Sequence, residues 1–267
     1  MTDWNPKSGR ILAETADGIT TITINRPDKL NALNPEMRRE LSQAIKFFGA
    51  EGVSSGLVIT GMGRAFSAGE DLEGTKGLSD LDIETAIETF NEVSRSIFAT
   101  EVPVAAAVNG IAVGGGAEIT LACDTRIGGT SAEFFLPENA RGLTISNASS
   151  YLLPRMLGSR AIGLVLNSPR LKSHEALELG LLDQVVEDDR LLDVATTLVR
   201  HWGMPGKSTA QHLRLLRPPK ELVEAAMREE VLAGRSAWDR GLTPSGVQAF
   251  LDDRVGEDSA AGAAERP

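Results

Sequence analysis

Two glutamates in small and apolar surroundings are the residues of this 267-residue chain best suited to acid–base chemistry. Glu118 follows three consecutive glycines and an alanine, and Glu138 follows the segment Phe134–Pro137. If both side chains enter one dry site, the two carboxyls titrate as a coupled pair and the pKa of one is raised. Such a pair suits general acid and base catalysis near neutral pH. The alternative for each glutamate is a solvated surface position, which is the weaker interpretation for Glu118.

Two glycine-containing loops could supply a pair of backbone N–H donors. The segments GRAFSAGEDL (63–72) and AVGGGAE (112–118) each follow a predicted strand, and ligands of α/β sheets bind at the carboxyl ends of strands. The N–H groups of Ala68 and Gly115 could then point at one oxygen, with Gly69 and Gly114 as the hinges that aim them. Donors placed in this way stabilise negative charge on a carbonyl oxygen. Either loop alone is equally consistent with a turn that binds nothing.

Other candidates for chemistry are weaker. The glycine run does not match G-x-G-x-x-G, and no phosphate-binding Lys-Ser/Thr follows it. The three histidines are His174, His201 and His212. They lie in helical segments away from the glycine loops, and their spacing does not suit a zinc site. Cys123 is best interpreted as a core thiol. The first loop also carries three acidic residues, Glu70, Asp71 and Glu73. They could attract a cation, and Asp71 could cap a turn, but a solvated acidic loop is the favoured interpretation.

The order of predicted elements indicates how these loops are positioned. Alternating Ile and Thr over 19–25 predicts a strand, and Asn34-Pro35 predicts a helix start. Further strands are predicted at 56–60, 104–108, 125–128 and 133–136, and a helix at 82–98. This β-α alternation predicts parallel strands joined by helical crossovers.

The chain becomes helical from about residue 146. Helices are predicted from Ser173 to Gly180, over 191–202 and 222–232, and from Thr243-Pro244 through Phe250 and Leu251. The helices beyond about residue 200 have too little apolar surface for a core of their own, so they pack on another subunit or fold back on the first domain. The polar tail 256–267 is predicted to be disordered.

Bulk composition restricts the partners. The net charge of −10 argues against nucleic acid and anionic membranes, so a phosphate-bearing ligand would need a local cluster of positive charge. One cysteine excludes an intramolecular disulfide and suits a reducing compartment. No apolar run reaches the roughly 18 residues that span a bilayer, and no signal peptide is recognisable. A cytoplasmic location is therefore expected.

Six segments, in this order, give the chain a resemblance to the enoyl-CoA hydratase/isomerase, or crotonase, superfamily over about residues 10–254. They are NRPDKLNALN (25–34), GRAFSAGEDL (63–72), AAVNGIAVGGGAEITLACD (106–124), FLPENARGL (135–143), SYLLPRMLG (150–158) and EALELGLLDQVV (175–186). The resemblance implies an α/β fold, a crotonase-like spiral of ββα turns with a helical C-terminal region. The spiral core with the active site would occupy 1–200, and a capping and trimerisation region 201–255, in a homotrimer or a hexamer made of two trimers.

The resemblance also implies an acyl-CoA thioester as substrate. Its carbonyl oxygen would bind the N–H groups of Ala68 and Gly115, and Glu118 and Glu138 would activate water for hydration of a 2-enoyl-CoA. Coenzyme A belongs to the substrate, so neither a separate cofactor nor a metal is expected. Further contacts with substrate or CoA are expected from ten residues: Lys29, Ala32, Arg64, Phe66, Gly69, Asp71, Leu72, Gly114, Ser146 and Asn147.

One segment departs from the family pattern. Typical hydratases have a Pro-Gly-x-Gly-Gly-like stretch where 145–149 here reads Ile-Ser-Asn-Ala-Ser. Ser146 and Asn147 would place hydrogen-bonding groups at the acyl end of the pocket, which argues against an ordinary straight-chain acyl group and is compatible with a polar, heteroatom-bearing or ring-bearing one. Hydrolase, isomerase or decarboxylase activity on an acyl-CoA stays open. A noncatalytic CoA-binding subunit is a third possibility, against which the two glutamates argue.

Overall fold

The computed structural model describes residues 4, 6, 8–72, 80–250 and 252. The predictions for Glu73, Leu251 and the tail 256–267 lie outside these residues.

The strands are β1 (Ile11–Ala16), β2 (Ile19–Ile24), β3 (Gly56–Gly61), β4 (Ala65–Ser67), β5 (Val104–Val108), β6 (Ile111–Val113), β7 (Thr125–Gly129), β8 (Glu133–Phe135), β9 (Leu171–Lys172) and β10 (Gln184–Val186). The α-helices are α1 (Pro35–Phe48), α2 (Asp80–Ala99), α3 (Gly115–Ala122), α4 (Ser149–Leu157), α5 (Arg160–Asn167), α6 (Ser173–Leu179), α7 (Leu191–Trp202), α8 (Thr209–Leu216) and α9 (Lys220–Asp239). Residues 242–250 are also helical.

A six-stranded sheet forms the centre of the molecule, in the order β1-β2-β3-β5-β7-β10. Strands β1 and β2 form an antiparallel hairpin, and the other neighbours pair in parallel. Strands β3 and β5 are buried at every residue, as expected of parallel strands covered on both faces. The prediction of parallel strands with helical crossovers is confirmed.

A second sheet of four strands lies beside the first, in the order β4-β6-β8-β9. Strands β4, β6 and β8 are parallel, and each has three residues. Sequence periodicity did not reveal β4 and β6, because three residues are too few to show an alternation. The two glycine loops follow these short strands directly, rather than the longer strands β3 and β5 that precede them in the chain.

Local sequence explains where the main helices begin and end. The Asn34 side chain accepts a hydrogen bond from the Met37 N–H at 2.9 Å, and Pro35 opens α1. The predicted helix from Ser173 to Gly180 is α6, with Gly180 at φ 96° after its last turn. Lys172, rather than Ser173, is its N-cap residue, and the Ser173 hydroxyl instead donates to the Thr130 carbonyl at 3.1 Å.

The C-terminal helices fold back onto the rest of the chain, which is one of the two arrangements expected for them. Helix α9 packs along α2. Arg217, between α8 and α9, forms an ion pair with Asp124 at 2.7 Å, in which each side chain is 9% exposed. The same guanidinium donates to the carbonyls of Phe98 and Val102. The C-terminal region is therefore attached to the end of α2, to the loop that precedes β5 and to the segment between α3 and β7.

Candidate active site

Three adjacent parallel strands bring the three predicted catalytic segments to one edge of the second sheet. Strand β4 leads into the loop at 68–72, β6 into Gly114 and α3, and β8 into Glu138. The ends of parallel strands meet at the same edge. The convergence expected from the sequence is therefore observed, with β8 predicted at 133–136 and with β4 and β6 not predicted.

Gly114 and Gly115 form the sharp entry into α3. Gly114 has φ 53°, and its N–H donates to the Phe135 carbonyl at 2.9 Å, which ties this loop to β8. Gly115 begins the helix, and no described residue accepts a hydrogen bond from its N–H. Free N–H groups in the first turn of a helix carry partial positive charge. The Gly115 N–H can therefore bind an oxygen that is developing negative charge.

The loop after β4 approaches this helix start closely. A Cβ atom added to Gly69 would lie 3.2 Å from the Gly115 nitrogen and 2.5 Å from the Val113 carbonyl oxygen. Gly69 also has φ 80°, a conformation that L side chains rarely adopt. Glycine is therefore needed at this position for two independent reasons.

The Ala68 N–H is not the second donor, which corrects the sequence prediction. It donates to the Leu30 carbonyl at 2.9 Å, so it is already paired. Glu70 is better placed. The Leu33 N–H donates to the Gly69 carbonyl, and the Asp71 N–H donates to the Leu33 carbonyl, in a parallel bridge opposite Glu70.

This bridge determines the direction of the Glu70 N–H. In an extended segment, successive residues direct their N–H groups to opposite sides. The Glu70 N–H is therefore directed away from Leu33, and no described residue accepts a hydrogen bond from it. Glu70 and Gly115 line the same cavity. The sequence did not distinguish Glu70 from Ala68, because the pairing of Ala68 with Leu30 is a contact between distant segments.

Glu118 lies inside this cavity, 1% exposed and surrounded by donors. The Ser146 N–H lies 3.0 Å from Oε1, and the Ser146 hydroxyl donates to Oε2 at 2.6 Å. The Asn147 Nδ2 amide adds a third donor at 3.2 Å. Donors of this kind stabilise the charged form of a carboxylate.

Glu138 lies across the cavity and is 6% exposed. Its Oε2 atom is buried and has no hydrogen-bond partner among the described residues. A Cβ on Gly114 would lie 2.6 Å from its Oε1 atom, so the carboxyl packs directly against the backbone of the glycine loop. In contrast to Glu118, this carboxyl receives no hydrogen bond from another side chain of the described residues.

Burial raises the pKa of both carboxyls. Burial raises the pKa of Glu138 to about 7, an increase that its own backbone N–H and the charge of Arg141 oppose. The pKa of Glu118 is raised well above its ordinary value by burial and then by the charge of Glu138, and to a smaller extent by Glu230. Hydrogen bonds from Ser146 and Asn147 lower it. The two carboxyls therefore titrate as a coupled pair, and burial opposes the charged form of both.

The segment 145–149, which differs from the family pattern, holds the Glu118 side chain in place. Asn147 and Ala148 both have a positive φ, at 61° and 60°, a conformation typical of glycine. Two side chains of α2 secure Asn147. Its N–H donates to Asn91 Oδ1 at 2.9 Å, and its own Oδ1 accepts from the Ser94 hydroxyl at 2.6 Å.

Glu230 of α9 secures the other side of this turn. Its carboxylate accepts the N–H groups of Ala148 at 2.9 Å and Ser150 at 2.8 Å, at the start of α4. The sequence analysis missed Asn91, Ser94 and Glu230. The first two interrupt the apolar stripe of α2, four and seven residues after Ile87, and this interruption was the available signal.

The cavity around the glutamates is large and mainly apolar, and we call it the glutamate cavity. Its volume is about 430 Å³. The polar lining comes from Glu70, Glu118, Glu138 and Ser146, and the apolar lining includes Leu72, Ile83, Ile87, Phe90, Leu143 and Trp238. Thr243, Pro244, Val247 and Gln248 of the last helical segment also line it. The C-terminal region thus closes the site.

A second depression, the cationic groove, meets the glutamate cavity at Glu70 and Leu72, which line both. It has a volume of about 460 Å³ and contains four basic residues: Lys29, Arg64, Arg141 and Arg170. Predicted contact residues that line it include Ala32, Ala68 and Asp71. The lining also includes Asp28, Glu70 and Asp71, and the carboxylates of Glu70 and Asp71 are paired with Arg38 and Arg26. The groove therefore has a small excess of positive charge, which would favour a phosphate-bearing ligand in a chain of net charge −10.

Four predicted contact residues line neither depression: Phe66, Gly69, Gly114 and Asn147. Gly69 and Gly114 instead shape the backbone of the two glycine loops. Phe66 is fully buried in the hydrophobic core, and Asn147 is fully buried behind Glu118. Asp71 forms an ion pair with Arg26 at 2.5 Å rather than capping a turn. In the part of the chain that the structure describes, no group of acidic, histidine or cysteine side chains has the arrangement of a metal site.

Comparison with known proteins identifies the family. The model of the family described as enoyl-CoA hydratase/isomerase matches residues 14–261. The chain belongs to this family. It is 37% identical to the 1,2-epoxyphenylacetyl-CoA isomerase of Escherichia coli over 257 residues, which cover 91% of this chain and 96% of that protein. It is 34% identical to a probable enoyl-CoA hydratase of Rhodobacter capsulatus over 258 residues, which cover 90% and 94% of the two chains.

Solved structures of enoyl-CoA hydratase/isomerase proteins share the fold. The crystal structure of the enoyl-CoA hydratase from Bacillus halodurans matches with a TM-score of 0.83 at 25% identity, covering 90% of this chain and 99% of that one. An enoyl-CoA hydratase/isomerase from Pseudoalteromonas atlantica matches with a TM-score of 0.82 at 30% identity, covering 91% and 97%. The predicted crotonase-like fold with its helical C-terminal region is thereby confirmed. None of the helices within the described ranges has the length and apolar character needed to cross a membrane.

Proposed function

We propose that this protein adds water to a 2-enoyl-CoA thioester and produces a 3-hydroxyacyl-CoA. The observation that carries the proposal is the presence of two buried carboxyls, Glu118 and Glu138, in one cavity with the unpaired Gly115 N–H. Membership of the enoyl-CoA hydratase/isomerase family supports a CoA thioester as the substrate class. The cationic groove would bind the CoA phosphates, and the glutamate cavity would bind the acyl group.

The thioester oxygen would accept hydrogen bonds from the N–H groups of Gly115 and Glu70. Conjugation with the carbonyl makes C3 of an enoyl thioester electrophilic, and addition at C3 moves negative charge onto that oxygen. Donors that are already oriented stabilise this charge more in the transition state than in the ground state. Removal of one such donor typically costs about 2.7–4 kcal/mol of transition-state stabilisation.

The different surroundings of the two carboxyls suggest their roles. Burial and the charge of Glu138 raise the pKa of Glu118, so at most one of the two carboxyls would be charged in the active form. We place that charge on Glu118 because three donor groups stabilise it there, and Glu118 would accept a proton from water as the hydroxyl oxygen bonds to C3. Glu138 has an unpartnered oxygen and a pKa of about 7. It would hold the shared proton and deliver it to C2. One water is thereby added across the double bond, and a proton exchange between the two carboxyls restores the starting state.

A screen of 2-enoyl-CoA thioesters with straight, branched and ring-bearing acyl groups tests this proposal. Hydration removes the absorbance of the conjugated thioester and adds the mass of one water, without release of free thiol. If no thioester in the screen gains the mass of water, the proposed hydratase activity is refuted.

Isomerisation is the second candidate, because one relative of 37% identity is named as an isomerase of an aromatic acyl-CoA derivative. The same two carboxyls could remove a proton from one carbon of the acyl group and return it to another. A product of unchanged mass in ordinary water, which gains deuterium when the reaction runs in heavy water, would favour isomerisation. Release of free thiol would instead favour thioester hydrolysis by the same activated water.

A homotrimer, alone or paired into a hexamer, is the assembly we propose. Helix α8 presents Leu215 and Leu216 at the surface, 79% and 76% exposed, and large exposed apolar side chains favour contacts between subunits. Sedimentation equilibrium at micromolar concentration tests this assignment. A monomer with full activity would refute it.

A further inference from the structure

Arg38 of α1 is a fully buried arginine beside the proposed oxyanion site, and none of the roles assigned above includes it. Its side chain is 0% exposed. Its Nη1 atom forms an ion pair with Glu70 Oε2, whereas its Nε and Nη2 atoms have no hydrogen-bond partner among the described residues. A buried charge requires strong compensation. The ion pair with Glu70 is therefore the main polar contact of this guanidinium.

The ion pair of Arg38 with Glu70 affects one of the two proposed N–H donors, that of Glu70. Glu70 carries the N–H that is directed away from Leu33, and the bridge to Leu33 constrains its peptide on one side. The side-chain ion pair constrains the same residue at a second point. Two attachments restrict both the position of the Glu70 backbone and its rotation.

The second contact bears on the other donor. The guanidinium carbon of Arg38 lies 4.3 Å from the centroid of the Phe90 ring, which is within the range of a cation–π interaction. Phe90 packs against the Cα of Gly115 so closely that a Cβ there would lie 2.5 Å from the ring. Any shift of the ring would therefore displace Gly115 or open a gap beside it.

We propose that Arg38 is a positioning residue that sets the distance between the N–H groups of Glu70 and Gly115. This inference rests on the proposed oxyanion site. Arg38 reaches Glu70 through an ion pair and Gly115 through Phe90, and so links two loops that lie more than forty residues apart in the chain. It acts through these two residues, and no contact of Arg38 with substrate is needed.

The test compares four single variants with the unaltered protein. Arg38→Met removes the charge and retains an apolar side chain, and Arg38→Lys retains the charge but not the planar guanidinium. Glu70→Gln weakens the ion pair from the other side. Arg39→Met is the matched control, because Arg39 is the next residue of α1 and is exposed.

The principal readout is the absorption maximum of bound 4-dimethylaminocinnamoyl-CoA, a chromophoric conjugated thioester. Hydrogen bonds to its carbonyl oxygen move the maximum to longer wavelength, so the shift reports the two donors without requiring turnover. We expect Arg38→Met and Glu70→Gln to lose most of this shift, Arg38→Lys to lose part of it, and Arg39→Met to retain it. A change in fold stability alone would not produce this order.

Kinetics and binding supply the second readout. Because misplacement of a catalytic group by about 1 Å can cost 10²-fold in rate, Arg38→Met is expected to lower kcat by about 30- to 100-fold. The Kd of free coenzyme A, measured by calorimetry, should change less than about twofold, because coenzyme A without an acyl group has no thioester oxygen for these donors to bind. A wild-type spectral shift and wild-type kcat in Arg38→Met would overturn the inference.

Three further outcomes separate the role of Arg38 from the proposed hydratase activity. If Arg38→Met does not fold, a wild-type shift in the folded variants Arg38→Lys and Glu70→Gln would overturn the inference, and a graded loss would support it. If the unaltered protein hydrates no thioester but shifts the probe, the hydratase proposal fails while the role of Arg38 is still measured by the probe. A probe that binds without any shift in the unaltered protein would overturn the inference together with the oxyanion site.

Discussion

The glutamate cavity and the cationic groove have similar volumes, about 430 and 460 Å³, and share Glu70 and Leu72, but they are built in opposite ways. In the cavity, the carboxyls are buried and fixed by backbone and side-chain contacts. In the groove, Arg64 is exposed and Arg170 is 65% exposed. Exposed charges contribute modestly and are screened by salt, whereas buried ones have strongly shifted pKa values. The comparison predicts that changes in the cavity alter kcat and that changes in the groove alter KM.

The largest effect is expected from removal of either carboxyl. Glu118→Gln and Glu138→Gln are nearly isosteric, and each should lower kcat by about 10²–10⁴-fold, the range of general acid–base catalysis. The Kd of free coenzyme A should be unchanged in both variants. Near-normal turnover in both would contradict the mechanism, and a lost affinity for coenzyme A would contradict the separation of cavity and groove.

The pH dependence of kcat/KM is the next largest effect. The proposed active form has one proton on the pair, so the rate should rise with pH as the first proton leaves and fall as the last one leaves. Because burial raises the pKa of Glu138 to about 7, the rate should fall about tenfold per pH unit on the alkaline side. Initial rates measured from pH 5 to 10 at constant ionic strength test this profile. A rate that still increases at pH 10 would exclude a proton-donating Glu138.

The same pKa also has a consequence for stability. The folded protein binds the Glu138 proton more tightly than the unfolded chain does, so Glu138 reduces the free energy of unfolding as pH rises from about 4.5 to about 7. Comparison of unfolding midpoints for the unaltered protein and Glu138→Gln should show the two curves diverging over this interval. Parallel curves would contradict the raised pKa.

A smaller effect is expected in the cationic groove. The double variant Lys29→Ala, Arg64→Ala removes two positive charges from the lining. It should raise KM by about tenfold at low salt, which corresponds to about 1.4 kcal/mol, and leave kcat unchanged. The difference from the unaltered protein should shrink in 0.5 M KCl because salt screens exposed charges. A loss of kcat would show that the groove contributes to chemistry.

The smallest effect is expected at the support of Glu118. Glu230→Gln keeps an acceptor for the turn but removes a charge that raises the pKa of Glu118. The acid limb of the pH–rate profile should therefore move to lower pH by less than about one unit, with a few-fold change in kcat. Glu229→Gln, an exposed neighbour on the same helix, is the control. An unmoved acid limb in Glu230→Gln would exclude the electrostatic influence of this residue.

The sequence predicted those parts of the site that depend on short contiguous segments. The glycine loop and the burial of Glu118 and Glu138 in one cavity could be inferred from local residue types, and the parallel arrangement from the alternation of elements. The assignment of Ala68 was wrong because its N–H is paired with Leu30, thirty-eight residues earlier. Local pattern carries no information on such a partner.

The residues that hold the site in place could not be predicted from the sequence for the same reason. Arg38 and Glu230 are charged residues in amphipathic helices, where a solvated position is the ordinary expectation. Their roles depend on Glu70 and on the start of α4, which lie far from them in the chain. Only packing shows that these charges are buried and paired.

The wall formed by the last helices has an evolutionary consequence. Five residues of this wall line the glutamate cavity, yet they belong to neither β-sheet and include neither buried glutamate: Trp238, Thr243, Pro244, Val247 and Gln248. Mutations there can enlarge, narrow or reshape the cavity without replacing Glu118, Glu138 or the donors that contact Glu118. If the cavity holds the acyl group as proposed, substrate preference can diversify through the end of the gene, and exchange of that end between homologues would alter acyl selectivity.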